Sequence, residues 1–190
     1  VRRCRVPRAD AWGIPAVVAK VATRASVLSP VLPVLEPPST WTNSHTGTLA
    51  PASTGPYYWD SSGRFGAYRD NGSTAEPLTF ATATSIATIV GATYTAWVPI
   101  TWGYGDGAVH LSTGASAQVV VDGRRVLDRP TRRRDGLGLR PNTTTYPVRF
   151  TATSASTTLE LRAVLSARTA RSNDDVLIAM PHFTSCCLPE

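Results

Sequence analysis

Lysine is almost missing from this chain: Lys20 stands alone among 19 cationic residues, and the other 18 are arginine. A GC-rich coding sequence would be enough to produce that preference. Cysteine is scarce as well. Cys4, Cys186 and Cys187 cannot build a disulfide framework, and no Cys-x-x-Cys or His/Cys spacing suggests zinc. No stretch reaches about 18 uninterrupted apolar residues, which argues against a membrane-spanning helix. Catalytic signatures are also lacking. There is no Gly-x-Ser-x-Gly elbow and no His-Glu-x-x-His helix, and His45, His110 and His182 are scattered. "WGYGDG" has closely spaced glycines but follows a strand without opening a helix, so it does not cradle a phosphate. Asp60, Asp70 and Asp106 read as turn aspartates rather than as an acid–base pair. His182 lies near Cys186 and Cys187 in sequence, yet nothing there would orient a thiol nucleophile. The expectation is a protein that is not an enzyme.

What is present begins with size. A length of 190 residues allows one domain with extensions and a sizeable core. Charged residues make up 17% of the chain, a low share, and Ser, Thr, Gly and Pro fill the gap. That composition favours strands and turns over helices. The net charge of +6 is concentrated in two places. Residues 1–24 and residues 124–140 each carry +5, and everything else sums to −4. A basic terminus and a basic loop are not the broad face that tracks a phosphate backbone, so no specific nucleic-acid partner is expected. The arginine stretch 129–140 reads as an exposed loop, with an anionic polymer as its natural contact.

Residues 1–40 differ from the rest of the chain. Arginines, a short apolar run at Trp12–Ala19 and a Val17-Val18-Ala19 site resemble a degenerate secretory signal. Pro15 interrupts that run, and Lys20 and Arg24 come directly after it. The alternative is a loosely docked extension, ending in the polyproline-like linker "SPVLPVLEPP".

From Trp41 onward, short runs alternate apolar and polar residues with a period of two. "EPLTFATATSIATIVG" suits one or two strands. In "TYTAWVPITWGYG", Tyr94, Ala96, Val98, Ile100 and Trp102 share one face and Trp97 lies on the other. Pro99 cannot donate to a ladder, which predicts an edge strand or a bulge there. "AQVVVDGRRVL" places Asp122-Gly123 between two β-rich runs, a strong hairpin signal. "TYPVRFTAT", "TTLELRAVL" and "DDVLIAMPHF" complete about seven or eight strands. The fold class is all-β: an antiparallel β-sandwich of jelly-roll type over residues 41–185, with an irregular N-terminal extension at 1–40 and a tail at 186–190.

Aromatic residues supply the binding candidates. "PYYWDSSGRFGAYRDNG" holds Tyr57, Tyr58, Trp59, Phe65 and Tyr68. Phe65 and Tyr68, flanked by glycines, are expected to turn inward, and at least one of Tyr57, Tyr58 and Trp59 to stay partly exposed. Trp97 and Tyr104 belong to a second stretch, with Asp106 beside them to satisfy hydroxyls. Flat rings offer apolar faces on which sugar C–H groups stack. Trp102 and Tyr94 are expected in the core.

The order of these segments resembles the galactose-binding-like β-sandwich superfamily, which includes many bacterial secreted carbohydrate-binding modules. The resemblance rests on Trp41, "SSGRFGAYRDNG", "GATYTAWVPITW", "VVVDGRRVL", "FTATSASTTLELRA" and "DDVLIAMP", and spans roughly Trp41 to Phe183. It implies a non-catalytic binding module, extracellular or at the cell surface, with a glycan or cell-surface polymer as partner. It also implies structural calcium at Asp174 or Asp175, shared with an acidic residue ahead of the first tryptophan. Here "LEPPSTW" stands in that place, and Glu36 is the acid it offers. The alternative for Asp174 and Asp175 is a pair of acids capping a turn. The same sandwich also serves structural and adhesive proteins, including bacteriophage virion components, in which self-association replaces glycan binding.

Overall fold

The computed structural model describes residues 32–51, 58–67, 69–103, 114–131, 142–169 and 175–188. Ten strands form among them: β1 (Thr42–Thr46), β2 (Arg64–Gly66), β3 (Leu78–Ala87), β4 (Thr93–Gly103) and β5 (Ala115–Val121), then β6 (Arg124–Pro130), β7 (Asn142–Thr151), β8 (Ser156–Leu165), β9 (Asp175–Ala179) and β10 (His182–Cys187). All their pairings are antiparallel. One sheet has the order β1-β3-β8-β5-β6. In the other, β4 pairs with β7 along one side and with β10 and β9 on the other, and β2 extends beyond β9.

The period-two pattern makes this a sandwich. On β8, Leu159, Leu161, Ala163 and Leu165 are buried, while Ser156 and Thr158 face solvent. On β4, Tyr94, Ala96, Val98, Ile100 and Trp102 are buried, as the alternation predicts. The inner faces of the two sheets meet in one apolar cluster. Each large side chain fully buried there contributes about 1.5–3 kcal/mol of hydrophobic stabilisation. Tyr94 stacks on Phe150 at 5.5 Å, with Phe183 edge-on to both. Its hydroxyl accepts a hydrogen bond from the Ile89 N–H at 2.8 Å, so the buried phenol is satisfied.

The Asp122-Gly123 signal is realised as the β5–β6 hairpin. Both residues take left-handed φ values, 47° and 77°, as a two-residue primed turn requires. The Asp122 carboxylate accepts the Thr158 N–H at 2.8 Å and ties the turn to β8.

Three expectations need correction. Pro99 lies on the interior strand of its sheet, and no bulge marks it. β4 pairs with β10 through Thr93–Trp97 and with β9 through Ile100–Gly103. Pro99 falls where one neighbour ends and the next begins, so its missing N–H breaks no ladder on that side. The boundary at 185 is also too early, because β10 carries Cys186 and Cys187 into the sheet opposite Tyr94 and Thr93. Cys186 is a free thiol. The sequence places these cysteines in the tail because their run lacks apolar alternation. Finally, the last part of the extension is attached to the domain: Leu35 packs against the core, and the Trp41 indole N–H donates to the Glu36 carbonyl at 3.0 Å.

Candidate functional site

The outer face of the β4 sheet is rich in threonine and carries one exposed indole. Strand alternation points Thr93, Thr95, Trp97, Pro99 and Thr101 away from the core. Their cross-strand partners on β7 are Thr151, Arg149, Pro147, Thr145 and Thr143. Trp97 is 41% exposed, and it alone among the described aromatic residues counts as exposed. Pro147 stands opposite it on one side and His182 on the other. Threonine hydroxyls pair across the strands above and below: Thr93 with Thr151 at 2.9 Å, and Thr101 with Thr143 at 2.7 Å. The result is a sheet surface with an indole between a proline and an imidazole, and threonines further along the strands in both directions. Its chemistry suits stacking of an apolar ring face, with hydroxyls left to exchange hydrogen bonds around it.

Tyr58 and Trp59 form a different arrangement. The segment "WDSSGR" is a tight turn. Asp60 accepts the backbone N–H groups of Ser62 and Arg64, each at 2.9 Å, and the Arg64 guanidinium at 2.7 Å. Burial alone would raise the Asp60 pKa, but these hydrogen bonds and the Arg64 charge outweigh it and leave it below the ordinary carboxylate value. The turn pairs Trp59 with Phe65 through an isolated bridge. The Trp59 indole then packs edge-on against Trp41 at 5.5 Å and Phe65 at 5.6 Å, and its N–H donates to Asn43 Oδ1 at 3.3 Å. Tyr58 packs edge-on to Phe80 at 5.6 Å, and its hydroxyl meets His45 Nδ1 at 3.0 Å. Burial raises the Tyr58 pKa. Both rings are half-buried and close the sandwich where β1 and β2 border the core.

The candidates therefore separate. Tyr58 and Trp59 sit together against inward-facing Phe80 and Phe65, whereas Trp97 stands on the outer face of a sheet. Phe65 is fully buried, as are Tyr94 and, nearly, Trp102. Tyr57, Tyr68, Tyr104, Asp106 and Asp174 lie outside the described residues, as does most of the arginine loop. Asp175 opens β9, opposite Gly103. Pro147, Arg149 and His182 flank Trp97 but are not candidates in the sequence reading. "TYPVRF" shows that Pro147 and Arg149 share a face, but not that the face adjoins β4.

The structure does not bring Glu36 and Asp175 together. Glu36 lines a depression with Ile89 and Tyr94, near the start of β4, whereas Asp175 pairs with its last residue, Gly103. Nine steps along an extended strand span about 30 Å, while carboxylates sharing one ion each lie within about 2.6 Å of it. Among the described residues, no three His, Cys, Asp or Glu side chains are grouped to hold a metal.

The geometry defines an antiparallel β-sandwich with an aromatic platform on one sheet. Comparison with protein-family models finds no match, and comparison with curated proteins finds none. Among solved structures, the chain is similar to a family 35 carbohydrate binding module from an environmental isolate, with 14% identity over 78% of this chain and 93% of that one and a TM-score of 0.38. It is similar also to CBM35 from Paenibacillus barcinonensis, at 19% identity over 80% and 97% of the two chains and a TM-score of 0.36. TmCBM61, solved with β-1,4-galactotriose, shares 11% identity over 77% and 89%, with a TM-score of 0.34. Likenesses this distant do not say what the present chain binds.

Proposed function

We propose that this chain is a non-catalytic carbohydrate-binding module that works outside the cell and holds a polysaccharide on the outer face of its β4 sheet. The observation that carries the reading is Trp97, exposed on a sheet face among threonines and prolines. A pyranose ring laid on the indole would bury its C–H face, and its hydroxyls would reach the surrounding threonine hydroxyls and His182. A sheet holds such a platform in place before the ligand arrives, which lowers the ordering cost of binding. One stacked ring gives modest affinity, so a polymer presenting repeated units is the natural ligand.

The test is retention on a panel of insoluble and soluble polysaccharides, comparing the wild type with Trp97→Ala. At least one polymer should retain the wild type and release the variant. The melting temperature of the variant should fall by no more than about 4 °C, the shift expected for about 1 kcal/mol of lost cross-strand contact. If no polysaccharide is retained, or if Trp97→Ala is retained as well as the wild type, the proposal is wrong.

A further inference from the structure

Beside the platform, the structure has a second feature that stacking on Trp97 leaves unused. Where β6 and β7 approach each other across the open edge of the sandwich, a groove of about 420 Å³ is lined by Asp122, Arg124, Arg125, Arg149, Phe150 and Thr153. Three arginines thus line one concavity, Arg124 and Arg125 from the basic block at 124–140 and Arg149 from β7. Their charge is only partly compensated. Arg125 pairs with Asp128 at 2.9 Å. The Asp122 carboxylate, which accepts the Thr158 N–H, adds one negative charge to the lining and leaves the arginines in excess. Arg124 and Arg149 have no carboxylate partner among the described residues. Further along the same edge, the Arg129 guanidinium lies 5.0 Å above the Tyr146 ring, which extends the positive strip along the β6–β7 border. Gathering like charges in a concavity costs stability, and an anion placed there would relieve the repulsion.

Arg149 connects the groove to the platform. It stands opposite Thr95 on the outer face, two residues along β7 from Pro147, which flanks Trp97. That spacing is about 7 Å, so a polymer stacked on Trp97 would bring a neighbouring unit within reach of Arg149. Guanidinium forks match the paired oxygens of carboxylates and sulfates. We propose that the β6–β7 groove is an anion subsite, and that the polysaccharide this module binds is acidic, bearing carboxylate or sulfate groups. The inference rests on the platform reading for its ligand class and on the groove for its charge.

The experiment measures binding to polygalacturonate, dextran sulfate, neutral dextran and a duplex DNA oligonucleotide, for the wild type, R124Q, R149Q, W97A and R168Q. Arg168 follows β8 at its far end from the groove, and its N–H donates to the Ser73 carbonyl. Its variant therefore removes equal charge elsewhere. Circular dichroism checks that each variant is folded. One of the two acidic polysaccharides should bind, and which one does identifies the anion. R124Q and R149Q should each weaken that binding on the order of tenfold and flatten its dependence on salt, as loss of a charge-assisted contact requires. R168Q should change it less than about twofold, since a charge beyond the far end of β8 is screened from a ligand in the groove. Equal losses from R168Q and R149Q would reduce the effect to bulk charge and overturn the subsite. So would DNA binding without acidic-polysaccharide binding, which would point to a nucleic-acid surface. If a neutral glycan is retained through Trp97 while the arginine variants have no effect, the subsite fails and the platform stands. If acidic polymer binding needs Arg149 but not Trp97, the subsite stands and the platform fails.

Discussion

Replacing Trp59 with alanine tests whether its ring serves the fold or a ligand. Trp59 is half-buried, packs edge-on against Trp41 and Phe65, and donates its indole N–H to Asn43. Hiding half of an indole of about 250 Å², at about 25 cal/mol/Å², contributes about 3 kcal/mol. Removing a fully buried aromatic costs about 3–5 kcal/mol, which bounds the figure from above. A loss of about 3 kcal/mol lowers the melting temperature of a domain this size by about 6–12 °C. Differential scanning calorimetry of Trp59→Ala, Trp59→Phe and Trp97→Ala gives the comparison. Trp59→Phe should keep part of the edge-on packing and fall between the wild type and Trp59→Ala. Trp97→Ala should shift least, since its ring lies outside the sandwich. A fall of less than about 3 °C for Trp59→Ala, or one no larger than that of Trp97→Ala, would refute the view that Trp59 closes the core. Its ring would then return as a binding candidate.

Two more outcomes rest on single groups. The Thr82 hydroxyl is fully buried between the sheets and has no hydrogen-bond partner among the described residues, so Thr82→Val should raise stability by about 1–2 kcal/mol in urea unfolding; a loss of stability would show that the hydroxyl is satisfied. The lowered pKa of Asp60 means that its contribution is complete above the unfolded-state value of about 3.9 and is lost as pH falls through the folded value. The stability gap between the wild type and Asp60→Asn should therefore be constant from about pH 5 to 7 and narrow as the pH falls below about 3.9; a gap that does not narrow in acid would assign it to shape rather than charge.

Much of the architecture was legible because burial writes a period of two into the chain. The alternation of Tyr94 through Trp102 predicts which side of β4 faces the core, and with it the outward position of Trp97. Asp122-Gly123 is readable because few residues tolerate two successive left-handed conformations. What escaped depends on partners distant in sequence. Pro99 is innocuous only because β10 stops and β9 starts beside it, which no local pattern reveals. β10 itself lacks alternation, since just Phe183 of its first residues needs to face inward. The site was half legible for the same reason. An exposed tryptophan follows from one strand, whereas Pro147, His182 and Arg149 join it only through pairing across the sheet. Trp59 misleads in the opposite sense: its loop shows no apolar rhythm, yet a tight turn folds it back onto Phe65.

The ten-residue length of β7 has a consequence for how copies of this chain meet. A strand paired on one side only offers its other side to any extended peptide that drifts near it. The ladder from β4 runs unbroken through Trp97 and Pro147, so the donor that Pro147 lacks is missing from the open side. Arg149 adds a charge two residues on. An incoming strand would lose a hydrogen bond at mid-length and meet a cation soon after, which makes β7 a poor seed for a growing sheet. Copies of this chain brought close together would therefore meet without fusing their sheets through β7.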